Sequence, residues 1–181
     1  MSEDFSELEP RLTETARASL GRAGFLAHNE GSEYVGTEHI LLGVLAQNSS
    51  LGAKILAENG VTLDRAEMAL NLTAKPLVIT IVSKGLSAEV VELIRIAWQL
   101  AVEFGQEKIG TEHIVYGMLQ QHEARATKLL RDMNVDIDNL RGNLEDVFDK
   151  QQFESLQSER SAASKNSGDL RVLEKFGVDL T

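Results

Sequence analysis

The residues best suited to chemistry belong to one short motif that occurs twice. The run Gly-Thr-Glu-His-Ile occupies residues 36–40 and returns at residues 110–114, an offset of 74 residues. Each copy brings together a hydroxyl, a carboxylate and an imidazole. Because an identical run at a fixed offset is typical of internal duplication, the sequence predicts two equivalent sites and not a single one.

The carboxylates of this motif, Glu38 and Glu112, are the candidate ligand-binding residues. Each follows a threonine, Thr37 or Thr111, that we expect to be the N-cap of a helix. A glutamate in the first turn is expected to be ionised, close to solvent and beside unpaired backbone N–H groups. The carboxylate can pair with a guanidinium, while the helix start and the hydroxyl can hold an oxyanion. The motif therefore predicts two pockets for a ligand with both charges, which favours bivalent binding.

A structural interpretation of the same motif also stands. The glycine frees the loop, the threonine caps the helix and the glutamate meets the positive end of the helix dipole, which together stabilise by about 1–2 kcal/mol. His39 and His113 are expected to be partly buried, hydrogen-bonded structural residues. An enzyme that uses His39 or His113 with the adjacent glutamate is a remote alternative, because adjacent side chains on a helix point about 100° apart.

Composition excludes several other classes of function. The sequence has no cysteine, no phosphate-binding glycine loop and no His-Glu-x-x-His motif, so we predict no catalytic residue, no metal and no cofactor. A net charge of −10 argues against non-specific nucleic-acid binding. The acidic Met1–Asp4 is unlike a secretory signal, and no stretch approaches the roughly 18 apolar residues of a membrane helix. We therefore expect a cytoplasmic protein that binds neither nucleic acid nor membrane.

Hydrophobic periodicity predicts the helices that must position the motif. The predicted fold is all-α, an eight-helix bundle made of two pseudo-symmetric four-helix repeats. Thr13, Thr62 and Ser87 are expected to be N-caps, and the last helix is expected to run from about Ile137 to Phe148. The predicted divisions are an arm (1–10), a first repeat (11–74), a connector with a β-branched run (75–84), a second repeat (85–150) and a linker (151–181). The polar residues 151–167 are expected to be either a linker or a frayed helix.

The repeated motif resembles the Clp repeat, the N-terminal domain of Hsp100 unfoldases, and is most similar to the ClpC type. The residues that carry the resemblance are Gly-Thr-Glu-His-Ile-Leu-Leu-Gly at 36–43 and Gly-Thr-Glu-His-Ile-Val-Tyr-Gly at 110–117. Arg-Leu-Thr-Glu at 11–14 is similar to the opening Arg-Phe-Thr-Glu of the family. Residues 173–181 resemble the segment before the first ATPase module of such unfoldases, so that 151–181 would be a linker towards an ATPase module. The resemblance implies a non-catalytic substrate- and adaptor-docking domain.

The resemblance also implies ligands and partners. In ClpC-type domains the glutamates of the motif receive the guanidinium of phosphorylated arginine, and by motif position these are Glu38 and Glu112. Thr37 and Thr111 would be their partners at the helix start. Adaptor proteins would dock near Thr13 and Glu14. The implied partners are phosphorylated or unfolded substrate proteins, adaptors, and the Clp ATPase ring and Clp peptidase of the full-length protein. A stand-alone Clp-repeat regulator of another unfoldase is the alternative.

Overall fold

A computed structural model describes residues 7–70 and 85–171, with the side chains of the last helix described as far as residue 161. This part of the chain forms eight α-helices, so the predicted all-α fold of two four-helix repeats is confirmed. Their bounds are α1 (Glu14–Glu30), α2 (Thr37–Ala46), α3 (Leu51–Glu58), α4 (Leu63–Ala69), α5 (Ala88–Glu103), α6 (Thr111–Leu119), α7 (Arg125–Asp132) and α8 (Ile137–Arg171). The predicted connector, 75–84, lies outside the described residues.

Local capping chemistry starts several helices where the sequence predicts. The Thr13 hydroxyl accepts the Ala16 N–H at 3.1 Å, and Ser87 likewise caps α5. Helix α3 is followed by Gly60, whose φ of 83° is left-handed. At the corresponding place after α7 stands Asn134, with φ of 62°, and asparagine tolerates that conformation better than most residues.

The two repeats pair with each other through the residues that precede their helices. Leu12 forms an isolated parallel bridge with Ile109, and Val35 forms the equivalent bridge with Leu86. In both cases a residue before the first helix of one repeat pairs with the residue before the motif of the other. The Thr13 N–H donates to the Ile109 carbonyl at 2.9 Å. The repeats therefore share one hydrophobic core, and each depends on the other for backbone hydrogen bonds.

The glycine that closes each motif allows a close helix–helix approach. A Cβ atom at Gly117 would lie 2.8 Å from the Leu93 carbonyl oxygen of α5, and one at Gly43 would overlap the Ser19 carbonyl of α1. Ser19 is itself fully buried at this contact. The motif helices α2 and α6 thus pack closely against α1 and α5, the first helices of their repeats. This packing fixes the position of the polar residues at the N-termini of α2 and α6.

Both ends of the described chain depart from the predictions. The predicted end of the last helix near Phe148 is wrong, because α8 continues to Arg171 through residues that contain no proline. At the other end the predicted arm is not wholly peripheral: a 3-10 turn spans Glu9–Arg11, and Leu8 joins the core.

In the described ranges no single helix could cross a membrane by length and composition; α2 and α3 meet that criterion only as a pair bent by 97°.

Candidate functional site

In both copies of the motif the N-cap of the helix is the glycine and not the threonine. Gly36 and Gly110 are the N-caps of α2 and α6, so the predicted N-cap role of Thr37 and Thr111 is wrong. The imidazole three residues later satisfies the glycine N–H instead. Gly36 donates to His39 Nδ1 at 2.9 Å, and Gly110 donates to Nδ1 of the second histidine at the same distance. Both threonines become the first residue of their helix.

The two histidines are buried and hydrogen-bonded, as predicted, with exposed fractions of 2% for His39 and 1% for His113. Because Nδ1 accepts a backbone N–H, a neutral imidazole carries its proton on Nε2. His39 Nε2 lies 3.0 Å from the Glu30 carboxylate, to which it donates. His113 instead stacks on the fully buried ring of Phe148, with ring centroids 5.2 Å apart. Both imidazoles are thus engaged in holding the motif in place.

The burial of His113 makes stability depend on pH. Burial lowers the pKa of this imidazole below its usual 6.5, and the charge of Glu112 opposes the shift without cancelling it. The unfolded chain then binds the proton more readily than the folded chain, so the stabilisation is complete above about pH 6.5 and is lost as the pH falls towards the folded pKa. Imidazole NMR titration should give His113 a lower pKa than free histidine. A pKa at or above 6.5 would contradict this account.

Each threonine of the motif caps a helix of the other repeat. The Thr37 hydroxyl accepts the Ala126 N–H in the first turn of α7 at 3.2 Å. The Thr111 hydroxyl accepts the Gly52 N–H in the first turn of α3 at 2.8 Å, and both ends of this bond are buried. Sequence reasoning missed these crossed caps. One signal was available: Ala124, the N-cap of α7, has no side-chain acceptor of its own.

Loss of the buried cap should be costly. Thr111→Val keeps the shape of the side chain but leaves the Gly52 N–H without an acceptor, and we expect the free energy of unfolding to fall by about 1–3 kcal/mol. Thr111→Ser retains the hydroxyl and is the matched control. Urea denaturation of both variants measures the difference. Equal stability of the valine and serine variants would show that the hydroxyl does not act as a cap.

The glutamates are not near solvent, which corrects the expectation from sequence. Glu38 is 4% exposed and Glu112 is 8% exposed. Each carboxylate folds back over the N-cap glycine of its own helix, so that a Cβ atom at Gly36 or Gly110 would overlap Oε1. Since φ at Gly36 is an ordinary −96°, the glycine leaves room for the carboxylate and does not serve an unusual backbone conformation.

Different groups cover the two carboxylates. Glu38 Oε2 pairs with Nη1 of Arg125 at 2.8 Å. Glu112 Oε2 accepts a hydrogen bond from Nε2 of Gln151 in α8 at 2.6 Å. Neither partner was identified from the sequence, since both lie far from the glutamates along the chain. One duplicated carboxylate therefore holds a guanidinium and the other holds a neutral amide.

Each motif borders a surface cleft between the repeats. The first cleft measures about 740 Å³ and the second about 320 Å³. The charged residues that line the first are Glu33, Glu38, Glu89, Glu123 and Arg125. The second is lined by Glu107, Lys108 and Glu112 together with Leu51 and both Thr13 and Thr111. Thr13, a candidate adaptor residue, thus borders the second cleft, whereas Glu14 lines neither.

Over the residues with described side chains, no three His, Asp or Glu groups form a metal-ligand set.

The sequence matches a known protein family. A model of the Clp repeat (R) N-terminal domain matches residues 11–80 and 85–180. The chain is 28% identical to the ATP-dependent Clp protease ATP-binding subunit ClpA homolog of Cyanidium caldarium, over 94% of this chain and 20% of that protein. It is 26% identical to the chloroplastic chaperone protein ClpC of Pisum sativum, over 94% of this chain and 18% of that protein. The chain thus spans about a fifth of these relatives.

Solved structures share the fold. The N-terminal domain of the chaperone ClpD from Arabidopsis thaliana aligns with a TM-score of 0.61 and 21% identity, over 75% of this chain and 92% of that one. The N-domain of ClpV from Vibrio cholerae aligns with a TM-score of 0.63 and 21% identity, over 79% and 88%. A complex of a ClpV N-domain with a VipB peptide aligns with a TM-score of 0.59 and 23% identity, over 75% and 86%.

Proposed function

The chain belongs to the family of Clp repeat N-terminal domains, and we propose from this that it is the substrate- and adaptor-docking domain of a ClpC-type protein unfoldase. Its relatives include proteins named as Clp ATP-binding subunits and as ClpC chaperones. A ClpV N-domain of the same fold is known in complex with a peptide. In this proposal the domain is not catalytic. It presents substrates to an ATPase ring, which the full-length protein would form or join. Through that ring the substrates would reach a Clp peptidase.

The proposed ligand is phosphorylated arginine on substrate proteins, bound at Glu38 and Glu112. The observation that carries this proposal is that Glu38 already holds a guanidinium, that of Arg125, at 2.8 Å. A carboxylate in this setting can therefore accept the planar donor group that arginine provides. Because the motif is duplicated, Glu112 offers a second carboxylate for a guanidinium in the second cleft. Two pockets on one domain would give avidity for substrates marked at more than one position.

The phosphoryl group also has partners in the clefts. The Thr37 and Thr111 hydroxyls accept N–H groups from α7 and α3, and each would donate its own hydrogen to an oxyanion that enters the cleft. Lys108 lines the second cleft and Arg125 the first, so each cleft has a cationic side chain among its described lining residues for the phosphate. A ligand must displace Arg125 from the first carboxylate and Gln151 from the second before its guanidinium can bind.

Adaptors are proposed to dock at the start of α1, on Thr13 and Glu14. Because Thr13 also lines the second cleft, an adaptor at this position would cover the second pocket and leave the first open. Adaptor and marked substrate would then compete at Glu112 alone.

A matched pair of peptides tests the proposed function. One labelled peptide carries a phosphoarginine and the other carries arginine at the same position, and fluorescence anisotropy measures binding to the 181-residue chain. We expect the phosphorylated peptide to bind at least tenfold more tightly, a difference of about 1.4 kcal/mol, because it alone has an anion for Arg125 and Lys108. Equal affinity, or no binding of either peptide, would contradict the proposed ligand.

A further inference from the structure

The two pockets differ at one pair of equivalent positions. Helix α3 begins at Leu51 and helix α7 begins at Arg125, 74 residues later, which is the offset of the duplication. The residue after each, Gly52 or Ala126, donates its N–H to the threonine of the opposite motif. Leu51 therefore occupies at the second pocket the place that Arg125 occupies at the first. An apolar side chain in one copy is replaced by a guanidinium in the other.

Arg125 occupies the cation position of the first pocket. The Glu38 side chain is only 5% exposed; Oε1 is turned back over its N-cap glycine and Oε2 is paired with the guanidinium. An incoming guanidinium must therefore compete with Arg125 for the same oxygen. The Arg125 side chain itself is 72% exposed, so it can leave Glu38 without breaking a packed contact of the core.

The charge of the incoming ligand decides whether this exchange is favourable. A plain guanidinium replaces one ion pair by another and gains little. A ligand that also carries an anion can pair with the displaced Arg125, so one ion pair is exchanged for two. The anion needs that partner because the Glu89 carboxylate also lines the cleft and would repel it, whereas Glu123, a further lining residue, is paired with Lys128 at 3.5 Å.

Among the described residues, no cationic side chain pairs with Glu112; Lys108 also lines the second cleft, but the group bonded to the carboxylate is Gln151. Glu112 is covered by the neutral amide of Gln151, and Leu51 cannot form an ion pair. A guanidinium that displaces the amide exchanges a neutral donor for a charged one, which strengthens the hydrogen bond to the carboxylate. A guanidinium without an anion can therefore bind here.

We propose that Arg125 is a selectivity residue that closes the first pocket to plain guanidinium groups and opens it to guanidinium groups that carry an anion, while the second pocket accepts both. The inference rests on the proposed function, because it assumes that the two clefts receive arginine side chains. It adds that the duplicated pockets are not equivalent. Unmodified arginine on an unfolded substrate would engage only the pocket at Glu112, whereas phosphorylated arginine would engage both.

Two probes and one pair of reporters test this selectivity. The probes are N-acetylarginine amide and the same compound phosphorylated on its guanidinium. The reporters are the backbone N–H groups of Gly36 and Gly110, which line the first and second clefts and are read separately by NMR titration of the 181-residue chain. At Gly36 of the wild type we expect the phosphorylated probe to bind at least tenfold more tightly than the plain probe.

Variants that exchange the side chains at Arg125 and Leu51 should change the selectivity of the two pockets in opposite directions. Arg125→Leu should tighten binding of the plain probe at Gly36 about tenfold and weaken that of the phosphorylated probe, so that the preference disappears. Arg125→Gln removes the charge, keeps most of the length and should behave in the same way. Leu51→Arg should weaken binding of the plain probe at Gly110 about tenfold, as the matched change in the other pocket.

The outcomes separate this inference from the proposed function. If phosphoarginine binds but the preference at Gly36 is the same in wild type and both Arg125 variants, the selectivity role is overturned and the proposed function stands. If the phosphorylated probe never binds, yet Arg125→Leu allows the plain probe to bind at Gly36, Arg125 does exclude guanidinium and the proposed ligand fails. If no probe binds to any variant, both are overturned.

Discussion

The double variant Glu38→Gln/Glu112→Gln is expected to lower the affinity for phosphoarginine at least a hundredfold. Glutamine keeps the size and hydrogen-bonding oxygen of glutamate but removes the negative charge that pairs with a guanidinium. A charge-assisted hydrogen bond contributes about 1.5–3 kcal/mol, and a hundredfold loss corresponds to about 2.7 kcal/mol. Fluorescence anisotropy with a labelled phosphoarginine peptide measures the loss.

Single variants and a charge-matched control sharpen this prediction. Glu38→Gln alone and Glu112→Gln alone should each remove one of the two pockets and leave the other intact. The control Glu58→Gln/Glu103→Gln makes the same change in net charge at two exposed helical glutamates outside both clefts. Undiminished binding by Glu38→Gln/Glu112→Gln, or an equal loss in the control, would refute the assignment of the two glutamates.

Gly43→Ala is expected to lower the free energy of unfolding by about 3 kcal/mol, at the upper end of the usual cost of overpacking. A Cβ atom at this position would overlap the carbonyl oxygen of Ser19, which belongs to the backbone of α1 and cannot rotate away. The methyl group can be accommodated only if α1 and α2 separate. Because α2 begins with the first motif, the same displacement should also weaken ligand binding at Glu38.

Gly21→Ala is the matched control for this prediction. Gly21 lies in the same helix pair, within α1, but a Cβ atom there would meet no atom within 4 Å. Alanine favours helix over glycine by up to about 1 kcal/mol, so this variant should be as stable as the wild type or more stable. Urea denaturation measures both. If Gly43→Ala proves as stable as Gly21→Ala, the close approach of α1 and α2 is not as described.

The fold could be predicted because its signals are local and occur twice. Apolar residues at helical spacing define each helix, and Thr13 and Ser87 cap α1 and α5 through the next turn of the same chain. The identity of residues 36–40 with 110–114 then implies that the second set of helices repeats the first. The end of α8 is harder to predict, because the polar composition after Lys150 fits a linker as well as a frayed helix, and nothing in residues 149–161 prevents a helix.

The interior of the site could not be predicted because its contacts cross between repeats. Thr37 was expected to cap its own helix, but His39 satisfies the N-cap N–H, and the threonine hydroxyl instead accepts the N–H of Ala126. Glu38 was expected near solvent, but the space above its N-cap glycine admits the carboxylate, and Arg125 covers it. These pairs are 87–89 residues apart in sequence (Glu38 to Arg125 and Thr37 to Ala126), so only the packing of the repeats brings them together.

Calorimetric titration of the 181-residue chain with free phosphoarginine tests the central proposal most directly. The duplicated carboxylates predict saturable binding of about two molecules per chain, and phosphate alone should not reproduce the heat because it lacks the guanidinium that Glu38 and Glu112 would hold. No saturable heat with phosphoarginine, or the same heat with inorganic phosphate, would contradict the assignment of these two pockets.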